Sequence, residues 1–451
     1  MSADMANGIL APSIAVLCIV MVYLYDSQGF GYKLFNLLLK LMVAVIVISF
    51  FGVVVYMSFK GQLDWGRIGA GIIPDFRMLW KPANTFKEAL AAVGPEFRRY
   101  WIDKIVNEQQ DVLVAAAATA VGINMTFLLP YSMLKRGWNK DFRGLAIFDL
   151  STGLFIPFIL ATGCVVIASA SQFHTKPAPG LLGEMQDSKL VKHDPSLVGR
   201  FQGLALDRVR KEIGAESFDA QFTDLNKELI EATKSKDKAR IETAGKKIAI
   251  LKTKLVLDLP LADRQIAAML VRRDANHLAM ALSPLTGKVV AHYVFGIGVV
   301  GMAVSSIIIL MLINGFCVTE IIGIEGKGFW YRVGCIVPAV GLLGPFIWND
   351  AAPYLAVPTS VFGFILIPIA YITFVLLMNQ RKLLGDHIPK GGKRIVWNML
   401  MIIAVVLVSV GAVYMVKKKA GWIGIGGVIA FILLAIIVHF IRKAQGKESL
   451  L

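Results

Sequence analysis

Apolar residues in this chain come in long blocks separated by polar stretches. Two blocks, at about residues 9–25 and 35–57, open the chain, and a polar segment with prolines and helix-like pieces follows over 60–110. Two more blocks run over about 112–134 and 145–170, and a long polar insert covers 171–288. Five blocks then close the chain, at about 289–316, 333–348, 355–378, 395–416 and 422–441. A helix that crosses the hydrocarbon core needs about 20 residues, and the blocks fit that length, 333–348 least well. The pattern predicts an all-α polytopic membrane protein with about nine transmembrane helices. The short alternating strands of a membrane barrel are not seen. By domain, the expectation is membrane helices over 1–170, a soluble helical insert over 171–288, and membrane helices over 289–451.

Within the insert, residues 218–256 are rich in Lys, Glu, Ala, Leu and Ile, with Leu225, Leu229, Ile241, Ile248 and Leu251 as apolar positions. A break at 234–237 predicts a helical hairpin. Such a hairpin either packs on its own insert as a cap or offers a coiled-coil contact to a partner. No tandem repeat of solenoid length is present.

Composition agrees with the blocks. Hydrophobic residues make up 56% and charged residues only 17%, against about a quarter charged in soluble domains. The net charge of +16 sits largely in short loops, as topology requires, and no nucleic-acid recognition motif accompanies it. Lys135, Arg136, Lys140 and Arg143 fall in one loop, Lys327 and Arg332 in another, and Arg381, Lys382, Lys390, Lys393 and Arg394 in a third. With the tail residues Arg442, Lys443 and Lys447 they share one side, which predicts that side as cytoplasmic. The N-terminus and the insert then face outward from a cytoplasmic (inner) membrane. Lys417, Lys418 and Lys419 fall on the opposite side and break the rule. Residues 1–8 carry Asp4 and no Lys or Arg, which is not the basic lead of a signal peptide. The cysteines Cys18, Cys164, Cys317 and Cys335 lie in or at the edge of apolar blocks without a Cys-x-x-Cys, so they read as packing residues.

Polar groups within apolar blocks carry the candidate chemistry. Gly122, Asn124, Thr126 and Pro130 cluster in the third block. Gly and Pro weaken a helical ladder, and a broken helix at the bilayer midplane frees carbonyls that bind ions. Asn124 offers an amide oxygen and Met125 a thioether; the other reading is a kinked packing helix with Asn124 bonded to a neighbour. Asp149, at the start of the fourth block near Arg143, is either a gating or proton-linked carboxylate or an interfacial acid. Ser305 and Ser306 lie among small residues, a packing pattern. His292 and His439 sit near span ends and read as interfacial. No Gly-x-Ser-x-Gly or His-Glu-x-x-His is present, so an intramembrane enzyme has no support.

Several of these stretches form an ordered set: Gly122-Ile-Asn-Met-Thr-Phe-Leu-Leu-Pro-Tyr-Ser-Met-Leu134, Asp149 with residues 168–174, Ser283-Pro-Leu-Thr-Gly287, Val294-Phe-Gly-Ile-Gly298 through Ser305-Ser306, Ile367-Pro368 and Lys382-Leu-Leu-Gly385. In this order they resemble the sixth, seventh, eighth and tenth helices of the natural resistance-associated macrophage protein (NRAMP) family of divalent-metal transporters. The resemblance implies a LeuT-like inverted-repeat fold and inward movement of a divalent metal ion such as manganese or iron as substrate, with protons as a coupling ion and no cofactor. The first two blocks then correspond to the family's fourth and fifth helices, and the first three helices, with their Asp-Pro-Gly-Asn motif, have no counterpart. The family's metal-ligand Met falls on Asn124, its two histidines on Thr126 and Tyr131, and its carbonyl donor on Val121; a one-residue slip brings Met125 into the site. The implied metal site is thus Val121, Asn124 and Met125, with Asp149, Thr126 and Tyr131 as gating or ion-coupling positions. An amide oxygen in place of a thioether admits a harder ion such as magnesium. Without the histidines, a proton relay is weaker. The alternatives are a truncated or split transporter that needs a partner chain, and a non-transporting membrane scaffold or subunit with the insert as its binding surface.

Overall fold

In a computed structural model, residues 3–27, 30–73, 75–120, 130, 133–134, 137–183, 185–186, 189–190, 195–235, 237–273, 275–280, 283, 287–326, 328–343, 352–385 and 388–444 are described. The helices run in the order α1 (Ala3–Ser27), α2 (Phe30–Phe59), α3 (Trp65–Ile72), α4 (Lys87–Ala92), α5 (Pro95–Ala120), α6 (Arg143–Pro157) and α7 (Cys164–Phe173). A π-helical turn, Phe158–Gly163, joins α6 to α7. Then come α8 (Pro195–Ile213), α9 (Ala215–Lys234), α10 (Lys238–Leu257), α11 (Leu261–Met269), α12 (Ala275–Met280), α13 (Lys288–Ile322), α14 (Gly328–Ile336), α15 (Ala352–Met378), α16 (Arg381–Leu384) and α17 (Gly392–Ala444). The described strands are two dipeptides, Met185–Gln186 and Lys189–Leu190, paired antiparallel. The fold is helical, as the blocks predict.

Among the described residues, three helices are long and apolar enough to cross a membrane: Arg143–Phe173, Ala291–Ile322 and Gly392–Ile441. Ala11–Leu24, Val47–Phe59 and Gly363–Met378 are shorter apolar helices. The stretch where a pair of spans is expected at the C-terminus, α17, is two helices joined across a kink at Gly421, whose φ of 59° and ψ of −149° no helix contains. A side chain at that φ is strained, so glycine supplies the break.

The chain forms two compact units. Unit 1 holds Met1–Asn36, Asp111–Ile147 and Ala303–Leu451; unit 2 holds Leu37–Gln110 and Phe148–Met302.

Unit 2 contains a polar helical layer with its own core. Phe86, Leu90, Val93, Trp101 and Ile105 from the 60–110 segment pack with Leu197, Phe201, Val209, Val256, Leu259, Ile266 and Val271 from the insert. Each such large apolar side chain contributes about 1.5–3 kcal/mol when fully buried. Polar contacts fasten the same seam. The Trp101 indole donates to Asp263 at 2.6 Å, Lys104 pairs with Asp207 at 2.9 Å and Arg272 with Glu108 at 2.8 Å. Gln109 clamps the preceding loop: its amide donates to the Met78 and Lys81 carbonyls, and its oxygen accepts from the Ala83 N–H. Residues 83–109 and 197–271 share one core, and segments that share a core are expected on one side of a membrane.

The expected hairpin is α9 and α10. Asp237 caps α10 by accepting from the Ala239 and Arg240 N–H groups at 3.1 and 3.2 Å, which ends one helix and starts the next. The two helices pack on each other and on α8, and Lys247 pairs with Glu228 across the hairpin at 3.0 Å.

A second core in unit 2 joins apolar helices. Phe50, Val53, Val54 and Met57 of α2 pack against Cys164 and Ala168 of α7, Ala279 of α12, and Ala291 and Phe295 of α13. The Phe50 and Phe295 rings meet edge to face at 6.1 Å.

In unit 1, α13 and α14 cross closely. A Cβ on Gly315 would collide with the Cys335 Sγ and lie 2.9 Å from the Tyr331 carbonyl; one on Gly334 would lie 2.9 Å from the Val318 Cβ. Asn314 donates to the Gly334 carbonyl at 2.8 Å across the same crossing. Small residues let backbones approach, and a polar side chain then bridges them. Farther along, Phe364 and Ile367 of α15 pack with Ala412 and Met415 of α17. Lys418 and Lys419 lie 3.0 and 3.4 Å from the Asp111 carboxylate. Two of the three lysines that break the charge rule therefore have an acidic partner.

Candidate functional site

The proposed ligand positions come first. Helix α5 is described as far as Ala120. Val121, Asn124, Met125, Thr126 and Tyr131 lie outside the described residues. Asp149 is described, on the second turn of α6, and exposed. Six residues separate it from Arg143, which sets the two about 120° apart around the helix, and they form no ion pair.

Beyond Asp149 the helix changes character. Pro157 has no amide hydrogen to donate to the helical ladder. The turn that follows, Phe158–Gly163, is π-helical. Such widened turns loosen the carbonyl ladder and recur at functional positions in helices. Sequence reading missed this turn, although a proline followed six residues later by Gly163 inside an apolar run was its visible sign.

The other polar side chains within apolar helices are mostly paired for packing. Thr319 is buried and donates back to the Gly315 and Phe316 carbonyls at 3.1 and 3.0 Å. Asn379, one residue past α15, and Asn398 of α17 exchange amide hydrogen bonds at 3.0 and 3.1 Å, and Arg394 adds a third bond, 3.2 Å, to the Asn379 oxygen. Ser305 is half-buried and Ser306 exposed on α13. Cys18, Cys164 and Cys335 are buried and Cys317 exposed, all four as free thiols. Among the described residues, no three His, Cys, Asp or Glu side chains converge on a point that could hold a metal ion.

One comparison bears on what these helices belong to. Residues 264–417 match the family model for natural resistance-associated macrophage protein-like proteins. The match makes that stretch, not the whole chain, similar to the NRAMP family. NRAMP proteins are transporters, not enzymes, and the metal ion is their substrate. The matched stretch starts inside α11, one residue beyond Asp263, and takes in α12 to α16 and α17 as far as Lys417. The crossing of α13 with α14 and the Asn379–Asn398 clamp thus lie inside the NRAMP-like stretch, whereas residues 121–131 and Asp149 lie outside it. No curated protein and no solved structure matches the chain.

Proposed function

We propose that this protein moves a divalent metal ion inward across the cytoplasmic membrane. The observation that carries the reading is the NRAMP match over 264–417, which covers the apolar helices α13 and α15. The ion is held by the Val121 carbonyl and the Asn124 amide oxygen, with Met125 as the thioether if the register slips by one. Asp149, Thr126 and Tyr131 flank the path as gating or ion-coupling groups. An oxygen-dominated site accepts a hard ion such as magnesium as well as manganese. The shared polar layer of unit 2 faces outward and the C-terminus faces the cytoplasm, with the short basic loops on the cytoplasmic side.

The test is uptake of manganese and magnesium into vesicles that contain this chain alone. Uptake that falls on Asn124→Ala is expected. Absence of uptake of either ion, with no difference between wild type and Asn124→Ala, would sink the reading of a self-sufficient transporter and favour a chain that works only with a partner.

A further inference from the structure

Between the cluster of Phe364, Ile367, Ala412 and Met415 and the turn that joins α15 to α17, an open groove of about 360 Å3 runs along the two helices. Tyr371 and Phe374 line it from α15, and Trp397, Leu400, Met401 and Ala404 from α17. Spacings of three, four and seven residues set these side chains in one stripe on each helix. Ala404, the smallest of them, lies farthest along α17 from the turn. Phe374, Trp397 and Leu400 are exposed, and α17 is apolar enough to cross a membrane. The groove therefore opens to lipid, and what fills it there is an acyl chain.

The end of the groove nearest the turn is cationic. Lys393 precedes Trp397 by one helical turn and Leu400 by two, so it stands on the same face of α17 and is exposed. Arg394 precedes Met401 by two turns and is half-buried. Its guanidinium donates to the Asn379 oxygen at 3.2 Å, and Asn379 is the residue after α15, so this charge is tied to both sides of the mouth. The bond uses one of five N–H groups. Across 381–394 the sequence sets Arg381, Lys382, Lys390, Lys393 and Arg394 against Asp386 as the one carboxylate, so the turn is net cationic even with that acid counted. From Lys393 to Ala404 the helix rises about 16 Å. That is close to the depth of one leaflet, about 15 Å of a 30 Å hydrocarbon core.

We infer that this groove binds an anionic phospholipid, with one acyl chain along the stripe and the phosphate at Lys393 and Arg394. Basic pockets between membrane helices suit anionic headgroups. Tryptophan favours the headgroup level, where Trp397 stands one turn below Lys393. A zwitterionic lipid satisfies the stripe equally well but brings its own cation to a mouth that is already positive. Charge thus selects the headgroup, and the stripe supplies affinity common to both lipids.

The experiment uses the full chain in a maltoside detergent, with thermal unfolding followed against phosphatidylglycerol, against phosphatidylcholine of the same acyl chains, and against glycerol phosphate, which has no chain. Phosphatidylglycerol is expected to raise the melting temperature at lower concentration than phosphatidylcholine, and glycerol phosphate to leave it unchanged. Lys393→Gln is expected to weaken the apparent affinity for phosphatidylglycerol about fivefold and to leave that for phosphatidylcholine as it was. Ala404→Phe, which fills the groove, is expected to weaken both. If Ala404→Phe does not fold, Ala404→Leu takes its place. Equal response to the two lipids, stabilisation by glycerol phosphate alone, or wild-type affinity for phosphatidylglycerol in either variant overturns the inference.

Discussion

Trp101 and Asp263, 162 positions apart in the chain, meet at 2.6 Å in the core of the polar layer. Asp263 also pairs with Arg208 at 3.0 Å, and both side chains are only 2% exposed. The guanidinium carbon of Arg208 lies 3.2 Å from the centre of the Phe97 ring, and a second carboxylate, Glu212, accepts from it at 2.7 Å. This cluster is the polar centre of the seam between residues 60–110 and the insert. Asp263→Ala leaves Arg208 buried without its main counter-charge and is expected to cost about 3–5 kcal/mol. Thermal unfolding of the full chain in detergent, followed by tryptophan fluorescence, checks this. Asp263→Asn, which keeps an oxygen for the indole, is expected to cost less than the alanine variant.

The common core also makes a topological prediction. Glu88, on α4, and Asp224, on α9, are both exposed on the polar layer. With Cys317 replaced by serine, Glu88→Cys and Asp224→Cys are expected to react alike with a membrane-impermeant maleimide added to intact cells. If one reacts and the other is protected until the cells are opened, the shared layer is wrong.

At the crossing of α13 and α14, Gly315→Ala and Gly334→Ala each place a methyl group inside contact distance of the opposite helix. Overpacking of this kind costs about 1–3 kcal/mol. Both variants are expected to unfold at lower temperature by fluorescence-detected size exclusion, and Gly341→Ala, which meets nothing within 4 Å, is the control expected to stay at the wild-type value.

The paired amides of Asn379 and Asn398 should show in a double-mutant cycle. Asn379→Leu and Asn398→Leu each leave a partner amide unmatched, at about 1 kcal/mol. The double variant is expected to lose less than the sum of the two. Strict additivity in melting free energy would show that the reciprocal bonds carry no stability.

Tyr100 packs edge to face on Trp101, and its hydroxyl is buried with no hydrogen-bond partner among the described residues. Burial first, then the nearby Asp207 and Asp263 charges, push its phenol up to about 12 against the opposing pull of Arg208. The folded chain therefore keeps this proton above the pH at which an unfolded tyrosine, near 10, loses it. The stability this contributes is present below about pH 10 and lost as pH rises toward 12. Tyr100→Phe is expected to flatten the decline in melting temperature over that window and to cost little at neutral pH. An unchanged decline would place the alkaline sensitivity elsewhere.

The sequence by itself determined the elements. Long apolar runs can only be satisfied in lipid as helices, because each backbone group must be paired within its own segment. The hairpin break was legible because Asp237 is a capping residue placed at the end of a polar-periodic run. The resemblance to a metal-transport family was legible in ordered motifs, and the match over 264–417 bears it out for that stretch. Of the candidate site, Asp149 was legible as a lone acid in an apolar block, but neither its exposure nor the π turn beyond it follows from composition.

What only the tertiary structure decided is which surfaces meet. Periodicity says which face of α5 is apolar and nothing about its partner, so the union of Trp101 with Asp263 has no signature in the chain. The same holds for Lys418 and Asp111, which look like a broken charge rule until they are seen 3.0 Å apart. It holds too for the pocket whose wall gathers Met57, Lys176, Arg273 and His292 from four separate stretches. The reason is common to all three: a sequence pattern records the local cost of exposing each residue, whereas a contact between distant residues is fixed by packing, after the helices exist.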